Sequence, residues 1–137
     1  MSVLVTDTGF GTDDWTQGYV ALSDAANDVV SLDIPSDTDP ATLADKLIGV
    51  EMVRVDFPSF ADGRGFTIAR HLRLSGYTGR LRAKGHVISD QYAMARRCGF
   101  DEVEISDEHA ARQPQEDWVF RADWKAHDYQ ARMRSDA

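Results

Sequence analysis

The chain has a single cysteine, Cys98, so it can form no intramolecular disulfide and offers no cysteine-based zinc pattern. No apolar run approaches the roughly 20 residues that a membrane-spanning helix needs. The opening stretch, Met1-Ser2-Val3-Leu4-Val5-Thr6-Asp7, lacks the basic region and long apolar segment of a secretory signal. Internal repeats and low-complexity tracts are also missing. These absences predict a cytoplasmic protein with no membrane association. With 137 residues, a single domain able to bury a real core is expected. The formal net charge of −8 argues against nonspecific nucleic-acid binding, which needs a net basic face.

Acids are scarce in one place. Between Gly63 and Phe100 the only one is Asp90, against Arg64, Arg70, Arg73, Arg80, Arg82, Lys84, Arg96 and Arg97, a local charge of +7. Residues 1–62 carry −10 and residues 101–137 carry −5. A basic window inside an acidic chain calls for a bound anion, a charged partner or intramolecular pairing.

The apolar pattern alternates between strand and helix signals. Residues 1–28 form a poorly patterned arm, read as short strands or a hairpin. Val29 to Ile34 is β-branched and closes at Pro35, as a strand does. Asp39 and Pro40 suit a helix start, Leu43, Ala44, Leu47 and Ile48 an apolar stripe, and Gly49 a helix end. Val50 to Phe57 predicts a strand with Val53, Val55 and Phe57 on one face. A helix is expected from Arg64 to Ser75, with Ile68, Ala69 and Leu72 inward and Arg70 and Arg73 together on the opposite side. Gly79 to Ala83 reads as a strand. Ser89 or Asp90 can cap a helix to Cys98 along a Gln91, Met94, Ala95, Cys98 stripe. Val103 to Ile105 predicts another strand, and Pro114 to His127 a last helix before a mobile tail from about residue 128. The expected fold is α/β: a single-layer, mostly parallel open sheet or partial barrel of βα units, spanning 1–137 as one domain. In such a sheet ligands bind at the carboxyl ends of the strands.

The segment Asp62-Gly63-Arg64-Gly65 is the leading candidate site, because it follows a strand and opens a helix whose free N–H groups attract anions. Its glycines would admit a ligand to the backbone, and Arg64 would add a bidentate fork. The competing reading is a tight turn in which Asp62 caps the helix and Arg64 pairs with Asp62 or Asp56. The spacing fits neither a phosphate-binding P-loop nor a dinucleotide fingerprint. Arg80, Arg82 and Lys84 share one face of their strand, so Arg82 or Lys84 could join Arg64 around an anion; a charge-protected edge strand is the plainer alternative. Arg96 and Arg97 suit the negative end of a helix dipole. Asp90 and Gln91 complete the candidate rim, where Asp56, Asp62, His86 or Asp90 could move protons. His71, His86, His109 and His127 have no ligand spacing, so no metal site is expected. Cys98 falls on an apolar stripe and reads as an inert core thiol. Trp15, Trp118 and Trp124 read as aromatic core before partner surface.

From Phe57 to Phe100 the chain resembles a bacterial family catalogued as domain of unknown function 934. The resemblance rests on Phe60, Asp62-Gly63-Arg64-Gly65-Phe66, Ala69-Arg70, Leu72-Arg73, Gly76-Tyr77, Gly79 and Leu81-Arg82-Ala83. It continues through Gly85, Val87, Asp90-Gln91 and Arg97-Cys98-Gly99-Phe100-Asp101, and Tyr129-Gln130 extends it loosely. His86 departs from the pattern, which implies an acid there. The resemblance implies a gene setting beside sulfite reductase and other steps of sulfate assimilation, and no defined reaction. The expected function is therefore an accessory or interaction protein of assimilatory sulfite reduction and cysteine biosynthesis, with sulfite reductase or a neighbouring enzyme as partner. A binding module for a small oxyanion or phosphosulfate-type ligand is the first alternative. An enzyme of sulfur metabolism using rim carboxylates is the second.

Overall fold

The computed structural model describes residues 2–24, 29–120 and 122. The predicted hairpin is present: β1 (Ser2–Thr6) pairs antiparallel with β2 (Gly9–Gly11). Two residues of the arm then form β3 (Val20–Ala21), ahead of β4 (Ser31–Ile34). The remaining strands are β5 (Met52–Phe57), β6 (Arg80–Gly85) and β7 (Glu102–Ser106), close to their expected positions. All seven join one sheet in the order β2-β1-β7-β6-β5-β4-β3. From β3 to β7 every neighbouring pair is parallel, and β1 meets β7 antiparallel. The sheet is mixed, mostly parallel and not closed into a barrel. No helix among the described residues is long and apolar enough to cross a membrane.

Two helices connect the last parallel strands: α1 (Arg64–Leu74) and α2 (Tyr92–Cys98). Each new strand from β3 to β7 is added on the same side of its predecessor. Right-handed crossovers in such a series all fall on one face of the sheet. That face is apolar: Ile34, Val55, Ala83, Val103 and Val5 lie in register across five strands, and all five are buried. Ile68, Ala69 and Leu72 of α1 pack into the same core as expected. Phe57 meets Phe66 and Phe100 with ring centroids 5.0 and 5.8 Å apart.

Several expectations need correction. The segment from Pro40 to Ile48 forms two short 3-10 turns, Pro40–Thr42 and Ala44–Lys46, rather than an α-helix. Asp39 does cap it, accepting from Ala41 N at 3.0 Å, and Gly49 ends it with φ +79°. A segment this short holds an α-helix only through tertiary packing. Leu43 is buried and Leu47 packs partly against the core, whereas Ile48 is 81% exposed, so the apolar stripe engages the core only in part. The helix leading to Cys98 begins with a 3-10 turn, Ser89–Gln91, which shifts its phase. Its buried stripe is Tyr92, Ala95 and Cys98, leaving Met94 half exposed. The chain beyond β7 forms α3 (Asp107–Arg112), which was not predicted, and α4 (Gln115–Phe120). Ser106 caps α3 by accepting from His109 N at 3.1 Å. The rest of the predicted last helix, its tail, Trp124 and His127 lie outside the described residues.

Candidate functional site

The face of the sheet opposite the apolar rows is charged. Strand alternation puts Asp33, Arg54, Arg82 and Glu102 side by side on four adjacent strands. One step toward the carboxyl ends lie Asp56, Lys84 and Glu104. The two rows have different fates.

The first row is closed. Arg82 is fully buried, with Nε 2.7 Å from Glu102 and Nη1 2.8 Å from Glu104. Its Nη2 lies 2.7 Å from Glu102 Oε2, close enough for an ion pair but not aligned as a hydrogen bond. The arm supplies the cover: Asp13 reaches Arg82 Nη1 at 3.0 Å, and Asp14 reaches Arg80 at 2.7 Å. Arg80 also donates to both oxygens of Glu102. Arg54 grips Asp33 with two bonds of 2.6 and 2.7 Å and adds Glu104 at 3.1 Å. The Tyr19 ring lies under the Arg54 guanidinium, 3.6 Å from ring centre to carbon. Trp15 donates to Gly18 O and Ser31 Oγ, pinning the arm to β4. Burial alone would lower the pKa of Arg82; the hydrogen bond to Glu104 and the charge of Glu102 outweigh it and raise it. Burial lifts the Tyr19 phenol to about 12. The hydrogen bond from Arg80 holds Asp14 below the usual carboxylate range, against the pull of burial.

The basic window is thus largely consumed by carboxylates from its own chain. Arg73 turns away from Arg70 and donates to the carbonyls of Tyr77, Gly79 and Gly99 and to Asp101. It ties the end of α1 to β6 and β7, which corrects its expected outward projection. Arg96 does more than offset a helix dipole: it binds Asp7 and donates to Phe100 O. Strand β6 is central in the sheet, so the edge-strand explanation of its charges does not hold.

At the Asp62-Gly63-Arg64-Gly65 loop, the tight turn is what forms. Asp62 accepts from Arg64 N, Nε and Nη2 at 3.1, 3.0 and 2.8 Å, and from Ser36 Oγ at 2.8 Å. These bonds, those from the Arg64 side chain first, hold the Asp62 carboxyl well below its ordinary pKa. Gly65 is required by packing, because a Cβ there would run into the Phe57 ring. Gly63 has a φ of −91° that other residues adopt. Asp90 lies beside Gln113 and Asp117 in a depression of about 330 Å³. Gln91 bridges Ile88 N and Phe60 O. His86 stacks edge-on against Phe60 at 5.0 Å, and His109 bonds Val87 O at 2.7 Å. Cys98 is buried, and burial raises its thiol pKa. Trp118 is core, donating to Gln113 O at 2.9 Å.

The second row is sealed at Glu104 and open at Asp56 and Lys84. Beyond the closed arginines, at the carboxyl ends of β3 to β6, lies a cleft of about 510 Å³. Leu22 and Pro35 form apolar walls, and Asp33, Arg54, Asp56 and Lys84 reach it from the sheet. Asp56 and Lys84 are exposed, and among the described residues neither makes an ion pair. The cleft lies where ligands bind in open α/β sheets and is of ligand size. Of the predicted anion-binding residues only Lys84 lines it, joined by Asp56, which was expected on the same rim as a proton-transfer group. Asp62, Gly63, Arg64 and Gly65 form the loop clip, Arg82 is sealed beneath the arm, Asp90 lines the other depression, and Gln91 is spent on Ile88 and Phe60. The contributions of Ala21, Leu22 and Ser23 were missed, because a two-residue strand leaves no periodic signal.

Fold and cleft together define an open, mostly parallel α/β protein with a ligand-sized cavity at its carboxyl edge. The chain belongs to the family described as "Bacterial protein of unknown function (DUF934)", which it matches over residues 31–137. No curated protein and no solved structure matches it.

Proposed function

We propose that this protein is a binding module for a small anion-bearing ligand, serving as an accessory of assimilatory sulfite reduction and cysteine biosynthesis. The observation that carries the binding reading is Lys84. It is a cation without a carboxylate partner among the described residues, at the mouth of a cleft with apolar walls. Every arginine on the same face is already paired, so Lys84 is the cation left for a ligand. Titration calorimetry with sulfite, sulfate and a phosphosulfate nucleotide tests this. Lys84→Ala is expected to weaken binding by about tenfold or more, the size of one charged hydrogen bond. An unchanged affinity removes Lys84 from the site.

The setting in sulfur assimilation rests on the family resemblance. A partner-docking role draws support from α4, which exposes Glu116 and Asp117 next to Val119 and Phe120, the last 75% exposed. Acid beside apolar surface suits a basic partner such as a component of sulfite reductase. Affinity purification of the tagged protein at low salt tests it, with enrichment of sulfite reductase or a neighbouring enzyme as the expected result. A partnerless protein rejects docking and leaves the ligand reading standing. A turnover role ranks last, since Asp62 is clamped by Arg64 and Ser36, and His86 is packed on Phe60.

A further inference from the structure

Resting on the ligand reading above, we infer that the cleft is built for a zwitterion, a ligand carrying an ammonium beside its anionic group, as an α-amino acid does. Asp56 and Lys84 are directly opposed on neighbouring parallel strands, in the row Asp56, Lys84, Glu104. Neighbouring strands lie about 4.8 Å apart, so such side chains are well placed to pair with each other. They do not: no ion pair joins them, although such pairs close over the whole row beneath. Glu104 is spent on Arg54 and Arg82, and both ends of Arg54 are spent on Asp33 and Glu104. The cleft therefore presents one open positive charge and one open negative charge, side by side. A simple oxyanion on Lys84 would sit against the Asp56 carboxylate. A zwitterion satisfies both, its carboxylate accepting from the Lys84 ammonium and its ammonium donating to Asp56. Leu22 and Pro35 would then face an apolar side chain.

The test compares three probes by calorimetry on the whole chain: L-methionine, N-acetyl-L-methionine, which lacks the ammonium, and the decarboxylated amine, which lacks the carboxylate. L-methionine is expected to bind at least about tenfold more tightly than either relative. In Asp56→Asn the preference over the acetylated probe should vanish. In Lys84→Gln the preference over the amine should vanish. Both positions are exposed, so the variants should fold, and melting curves check this. If sulfate or N-acetyl-L-methionine matches L-methionine, or Asp56→Asn keeps the preference, the zwitterion inference is overturned while anion binding stands. If neither the methionine probes nor the sulfur oxyanions bind, both readings fall.

Discussion

Arg82 and Lys84 lie two residues apart on one strand and share one face, yet one is sealed and the other open. Arg82 is held by Glu102, Glu104 and Asp13 with no exposed surface. Lys84 lies beyond the Asp13 and Asp14 contacts that cover Arg82, and it borders a cleft that the arm reaches through Ala21, Leu22 and Ser23. The residue types are similar, and the alternation that places them is the same. What separates them is the line where the arm ends, because a buried charge must be fully paired whereas an exposed one need not be. Charge density along a sequence is thus a poor guide to a binding site, and charge left over after pairing is a better one.

The contrast can be broken by substitution. Arg82→Ala removes the buried guanidinium shared by Glu102 and Glu104, leaving them Arg80 and Arg54, and about 3–5 kcal/mol of stability should be lost in urea unfolding. A loss below about 1 kcal/mol would mean that water already reaches the cluster. Gly65→Ala comes next: the added methyl meets the Phe57 ring, and overpacking of this kind costs about 1–3 kcal/mol. A neutral result there would return Gly65 to a ligand-binding explanation.

The arm should respond to pH at both ends. The pKa of Asp14 is lowered in the folded state, so its contribution is full above the usual carboxylate value and is lost as the pH falls through the lower folded value. Tyr19 is raised from 10.0 to about 12, so its contribution is full below 10 and is lost as the pH rises toward 12. Trp15 fluorescence reports arm release; Asp14→Asn should remove part of the acid response at a cost under about 1 kcal/mol, since that carboxylate is largely exposed. An unchanged acid response in that variant would remove Asp14 as its source. The smallest effect is that of Lys84→Ala, expected to alter stability by no more than about 0.5 kcal/mol while removing ligand binding. A large stability loss would place Lys84 with Arg82 as a structural charge.

Much of the scaffold was legible beforehand. β5, α1 and β7 follow from apolar periodicity, because Val53, Val55, Phe57, Ile68, Ala69 and Leu72 all fall on the faces that periodicity assigns. The Pro40 to Ile48 segment departs from the expected helix because the core takes in Leu43 and part of Leu47 but leaves Ile48 exposed, which no local pattern reveals. The Arg64 loop offered two readings, and the ion pair to Asp62 separates them by geometry alone. Lys84 and Asp56 were among the expected rim residues, but Ala21, Leu22 and Ser23, which share the cleft, were not.

By itself, the sequence determined the α/β class, the parallel strands, the helix α1 and the charge contrast between the basic window and its flanks. These depend on periodicity and composition, which are local. Only the tertiary structure decided which charges cancel. Asp13 and Asp14 meet Arg82 and Arg80 across more than sixty residues of chain, because the arm folds over a sheet that is assembled from distant strands. The same assembly leaves Asp56 and Lys84 adjacent and open, since strand register sets which side chains face each other and the extent of the arm sets where cover stops.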